Sequence, residues 1–151
     1  MLKAASIILI VVALCAVIIG IVYVARGTLM DYHEEFLGMT LEDIRDFNPE
    51  LAALATIFVR LAGILFISAG TLLIAVIYFG LRKAERWAWW ATLIGMGVIN
   101  APLVAITSPV RGFPWTLAIV SLIVFVTAIG LAARGVFREV PQRPATGTQS
   151  S

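Results

Sequence analysis

Apolar positions run along this chain in four long blocks, broken by short polar stretches and by one longer polar segment at residues 26–50. Residues 4–25 hold 22 consecutive positions without a charge or a proline. A helix rising about 1.5 Å per residue needs about 20 such positions to cross hydrocarbon. By the same criterion further spans fall at 51–81, 87–107 and 115–133, each bounded by charge or proline. The first block exceeds the roughly 7–15 apolar residues of a secretory signal, and Tyr23-Val24-Ala25 is a poor cleavage site, so it reads as a retained span. The pattern predicts an all-α fold, an integral membrane four-helix bundle over residues 1–138, with a short helical extracytoplasmic cap between spans one and two. Residues 139–151 lack a hydrophobic face and read as a disordered cytoplasmic tail.

The segment 26–50 has helix signals of its own. Thr40-Leu41-Glu42-Asp43 resembles a capping box, with a hydroxyl for the first-turn amides and carboxylates at the positive helix end. Leu41, Ile44 and Phe47 then fall on one stripe, as in a helix lying over the bundle mouth or on the membrane face. Leu29, Met30, His33, Phe36 and Leu37 form a second apolar face, ended by Gly38. Asn48 caps the next helix and Pro49 occupies its first position, where a missing N–H does no harm. A helix from Pro49 to Leu81 is about 50 Å long, against roughly 30 Å of hydrocarbon, so its first turns must project or the helix must tilt.

Composition strengthens the membrane reading. Of 151 residues 61% are hydrophobic and only 13% charged, and the mean hydropathy is +1.01. A water-soluble domain carries about 25% charge, so these helices must expose apolar surface to lipid. The single cysteine, Cys15, excludes an internal disulfide framework and a cysteine-cluster metal site. The net charge of +2 follows topology rather than a nucleic-acid partner. With both ends cytoplasmic, Lys3, Arg82, Lys83, Arg86, Arg134, Arg138 and Arg143 lie inside and only Arg26, Arg45 and Arg111 outside.

Few side chains offer chemistry. Arg60 is the one charge within a span; it either snorkels and pairs with the acidic segment or clamps a lipid phosphate or carboxylate. Asn100 is the second polar anchor, and Pro102 beside it predicts a kink. Asp31, His33, Glu34 and Glu35 crowd ligand-type groups, but one histidine makes a poor zinc set and a solvated acidic segment explains them better. Neither a metal nor a cofactor is expected. Trp87, Trp89, Trp90 and Trp115 read as membrane-interface anchors, the first three beside Arg82, Lys83 and Arg86. Small-residue pairs, Ala16 with Gly20, Gly63 with Gly70, Ala91 with Gly95 and Ala128 with Ala132, mark faces where helices approach closely.

The run Tyr32-His33-Glu34-Glu35-Phe36-Leu37-Gly38-Met39-Thr40, the Asn48-Pro49 start and the turn Arg82-Lys83-Ala84-Glu85-Arg86-Trp87-Ala88-Trp89-Trp90 resemble those of small four-span prokaryotic membrane proteins of the DoxX-like type. That resemblance implies the architecture over about residues 1–138 and carries across no catalytic residue. Together these features lead us to expect a non-enzymatic, multi-pass protein of the inner membrane, a structural or accessory subunit of a homo-oligomer or larger membrane complex, with the lipid bilayer as its solvent. The alternative is a module that binds or transports a lipid, quinone or apolar small molecule, using Arg60 and Asn100.

Overall fold

The computed structural model describes residues 1–110 and 112–137, and in them every regular element is a helix. Helix α1 covers Leu2–Arg26, α2 Asp31–Leu37, α3 Leu41–Phe47, α4 Pro49–Phe79, α5 Arg86–Thr107 and α6 Gly112–Val136. Helices α1, α4, α5 and α6 are each long and apolar enough to cross a membrane. Arg111 and the expected tail, with Arg138 and Arg143, lie outside the described residues.

The four long helices form a ring in which α1 meets α4 and α6, and α5 meets α4 and α6, while the diagonal pairs barely touch. Packing of α1 on α4 is the most extensive. Its cause is side-chain size. A Cβ on Gly20 would lie 2.5 Å from the Gly63 carbonyl oxygen, and one on Gly70 would lie 2.8 Å from that of Ala13. The backbones therefore approach as only glycine and alanine allow. Gly20 facing Gly63 and Ala13 facing Gly70 define an antiparallel register in steps of seven residues. Ser6 and Ile77, the next pair in that register, are both fully buried. Ala16, the expected neighbour of Gly20 on this face, is only half-buried, because a seven-residue repeat selects Ala13 instead. A Cβ on Gly95 would lie 3.1 Å from a methyl of Leu73 on α4, and Ala128 and Ala132 are buried on α6.

Local chemistry sets the helix ends. Gly27 and Gly38 close α1 and α2 in the left-handed region at φ 59° and 65°. The Thr40 hydroxyl accepts from the Asp43 N–H at 3.1 Å and the Asp43 carboxylate accepts from the Thr40 N–H at 2.8 Å, a reciprocal capping box. Asn48 accepts from the N–H groups of Glu50 and Leu51, and Pro49 opens α4. Ile44 of α3 and Ala52 of α4 are buried where α3 folds back on α4. Phe47 leaves the expected stripe: it is 80% exposed, since the turn into Asn48 carries it away from α4. At the other end of the bundle a single 3-10 turn, Leu81–Lys83, joins α4 to α5; it buries Leu81 completely and leaves Arg82 and Lys83 outside.

Candidate functional site

The densest group of polar and aromatic side chains lies where α1 ends and α2 begins. Tyr23, one turn before the end of α1, shares a hydroxyl–hydroxyl hydrogen bond with Tyr32 of α2. Its ring meets His33 and Phe66 edge-on, at centroid distances of 6.3 and 6.2 Å, and the Tyr32 ring lies 4.2 Å from His33. Met30, just before α2, is buried, and its N–H donates to Nδ1 of His33 at 3.2 Å. That bond puts the ring proton of neutral His33 on Nε2. Burial raises the Tyr32 hydroxyl above the usual phenol range, reinforced by the bond to Tyr23, and the same burial lowers His33.

Two acidic side chains near this group are committed to backbone. Glu34 Oε1 accepts from the Leu41 N–H at 3.0 Å and so joins α2 to the start of α3. Hydrogen bonds from Thr40 hold Asp43 below the usual carboxylate range. Asp31 pairs with Arg26 at 3.5 Å on the surface. Among the described residues no three histidine, cysteine, aspartate or glutamate side chains gather as a metal set would require.

Arg60 extends to the end of α1. A Cβ on Gly27 would lie 2.6 Å from its Nε and 2.7 Å from one terminal nitrogen, so the guanidinium rests on the bare backbone of that glycine. The C-terminal carbonyls of α1 carry the negative end of the helix dipole there, which favours a cation. The expected pairing with the acidic segment is replaced by this contact: among the described residues the ion pair to that segment comes from Arg26. Asn100 belongs to a different interface. Its Nδ2 donates to the Met96 carbonyl at 2.9 Å and its Oδ1 accepts from the Ser121 hydroxyl at 2.7 Å, tying α5 to α6. Arg60 and Asn100 thus stand in separate contacts, one at the end of α1 and the other between α5 and α6. Pro102, inside α5, leaves the Val98 carbonyl without its helical N–H partner.

The tryptophans divide by role. Trp87 and Trp90 are 57% and 53% exposed. Trp89 turns inward, donates from Nε1 to the Ile129 carbonyl of α6 at 3.1 Å and stacks edge-on with Phe137. Trp115 stands at the opposite end of the bundle, 37% exposed. Arg82 lies 4.8 Å over the Tyr78 ring and Arg86 5.7 Å from that of Phe137, both within cation–π range. Sequence reasoning missed Tyr23, Phe66 and Ser121, whose partners lie in other helices; a tyrosine on each side of Gly27 was the one local hint.

One pH effect follows from His33. Because the fold lowers its proton affinity, the unfolded chain binds the proton first as pH falls through about 6.5. The stabilisation is therefore full above that pH and declines below it. Amide-exchange protection of Met30 is expected to fall between about pH 8 and about pH 5, and His33→Gln, which keeps an acceptor without titrating, to abolish that dependence. Unchanged protection in the parent protein across this range contradicts it.

Comparison with known protein families, with characterised proteins and with solved structures finds no match to this chain.

Proposed function

We propose that the chain is a four-span integral membrane protein acting as a non-enzymatic structural or accessory subunit in a membrane assembly. One observation carries the membrane reading. Large apolar side chains cover the outer faces of the long helices, where a water-soluble bundle carries polar ones, and glycine and alanine line the close helix contacts. Ala13, Gly20, Gly63, Gly70, Ala88, Ala128 and Ala132 are buried, while Ile7, Ile18, Leu65, Leu72, Val98 and Ile123 are 52–69% exposed. Such a surface is stable in lipid and aggregates in water. Internal polar groups support the structural role, because Asn100, Ser121, Trp89 and Thr92 are used in bonds within and between helices.

In this reading both ends are cytoplasmic and α2 and α3 lie outside. The register of α1 on α4 sets Lys3 level with Gly80 and Arg26 level with Ile57. Arg60 then lies about 4.5 Å inside the outer boundary and snorkels back to Gly27.

Cys15 provides the test, since it is exposed on α1 at mid-span. In sealed membranes it is expected to resist a membrane-impermeant maleimide and to react once the bilayer is dissolved. In a Cys15→Ser background, Glu42→Cys is expected to react from the outer side only. Labelling of Cys15 in intact membranes, or of Glu42→Cys from the cytoplasmic side, overturns the arrangement.

A further inference from the structure

We infer that Arg60 binds a phosphate group at the outer boundary of the hydrocarbon, through the two terminal nitrogens of its guanidinium. The inference rests on the membrane reading, which sets Arg60 about 4.5 Å inside that boundary. A cation at that depth is costly unless its charge and its N–H groups are met. The fold meets only part of the charge. The free carbonyls at the end of α1 carry about half a negative charge, so a guanidinium beside them keeps about half of its own.

No carboxylate supplies the rest. Asp31 is paired with Arg26 at 3.5 Å, and Glu34 and Asp43 accept from the N–H groups of Leu41 and Thr40. Glu50, the only acid of α4, stands about 15 Å from Arg60 along the helix axis, toward water. Arg60 itself is exposed, and among the described residues no ion pair reaches it.

The way Arg60 meets Gly27 leaves one edge of the guanidinium open. A Cβ on Gly27 would lie 2.6 Å from Nε and 2.7 Å from Nη2 but 3.1 Å from Cζ, so the glycine stands against the Nε–Nη2 edge and not against the face. Its C–H groups accept no hydrogen bond, and they keep any acceptor off that edge. The Nη1–Nη2 edge remains, and its paired N–H groups match two oxygens of a phosphate. Depth selects the source. Lipid phosphodiesters form a layer just outside the hydrocarbon, within reach of a side chain that snorkels toward it. An inorganic phosphate ion offers the same oxygens but sheds more of its water to come as close.

Solid-state NMR of the full chain, isotopically labelled at arginine Cζ, tests this in bilayers of phosphatidylethanolamine and phosphatidylglycerol in phosphate-free buffer. The signal absent from Arg60→Lys is that of Arg60, and Arg60→Gln assigns it equally should the lysine variant fail to insert. A bidentate contact sets phosphorus about 4 Å from Cζ, so this signal is expected to lose intensity under carbon–phosphorus recoupling. In bilayers of digalactosyldiacylglycerol, which contain no phosphorus, the loss is expected to vanish. A loss seen only there, on adding inorganic phosphate, keeps the phosphate site and overturns lipid as its source. Protein released from native membranes by an alkaline wash defeats the membrane reading and this site with it. Protein retained there, whose Arg60 signal is unchanged with either source of phosphate, defeats the site alone.

Discussion

Gly63→Leu is expected to destabilise the folded protein by about 3 kcal/mol or more, the upper end of overpacking penalties, and to separate α1 from α4. The added side chain has nowhere to go. Even a Cβ at Gly63 would lie 2.7 Å from the Gly20 carbonyl oxygen and 2.9 Å from the Tyr23 Cβ, and backbone cannot yield as a flexible side-chain tip can. Loss of this contact also moves Tyr23, and with it the bond to Tyr32, so α2 should detach. Gly97→Leu is the control, because a Cβ at Gly97 meets nothing within 4 Å. Its unfolding free energy is expected to stay within about 1 kcal/mol of the parent, since only helix propensity and open surface change. Titration with a denaturing detergent, followed by circular dichroism, measures both. Equal losses for the two variants contradict the register proposed for α1 and α4.

Trp89→Ala is expected to cost about 3–5 kcal/mol, the range for removing a large packed aromatic side chain. It removes the ring between α5 and α6, its edge contact with Phe137 and the only side-chain bond reaching the Ile129 carbonyl among the described residues. Trp89→Phe keeps most of the packing and loses the indole N–H, at a cost of about 1 kcal/mol. Trp87→Ala, two residues away on the exposed side, is expected to stay within about 1 kcal/mol of the parent. The same titration, read by fluorescence, separates the three. A loss for Trp87→Ala as large as that for Trp89→Ala contradicts the inward role of Trp89.

The four spans were legible because length and composition alone decide whether a helix can cross hydrocarbon, and each apolar block ends in charge, glycine or proline. The helix caps at Thr40 and Asn48 were legible for the same local reason: their partners lie two or three residues along the chain. Contacts between helices were not. Choosing Ala13 over Ala16 as the neighbour of Gly70 requires the relative rotation of two helices, which small residues on both faces leave open. Trp89 was indistinguishable from Trp87 and Trp90 because all three lie beside the basic turn, and only the position of α6 shows which one turns inward. Arg60 was recognised as unusual from its depth, but its contact with Gly27 depends on where α1 stops.

The unequal packing around the ring has a consequence for biogenesis. The largest interface joins the first two of the four long helices, and the connection between them holds its own short helices by local caps. This N-terminal hairpin can therefore consolidate while the ribosome is still making the rest. The closing contact, α6 against α1, joins the two of the four long helices that lie farthest apart along the chain, so the ring closes only once α6 has been made, and one flank of α1 stays uncovered until then.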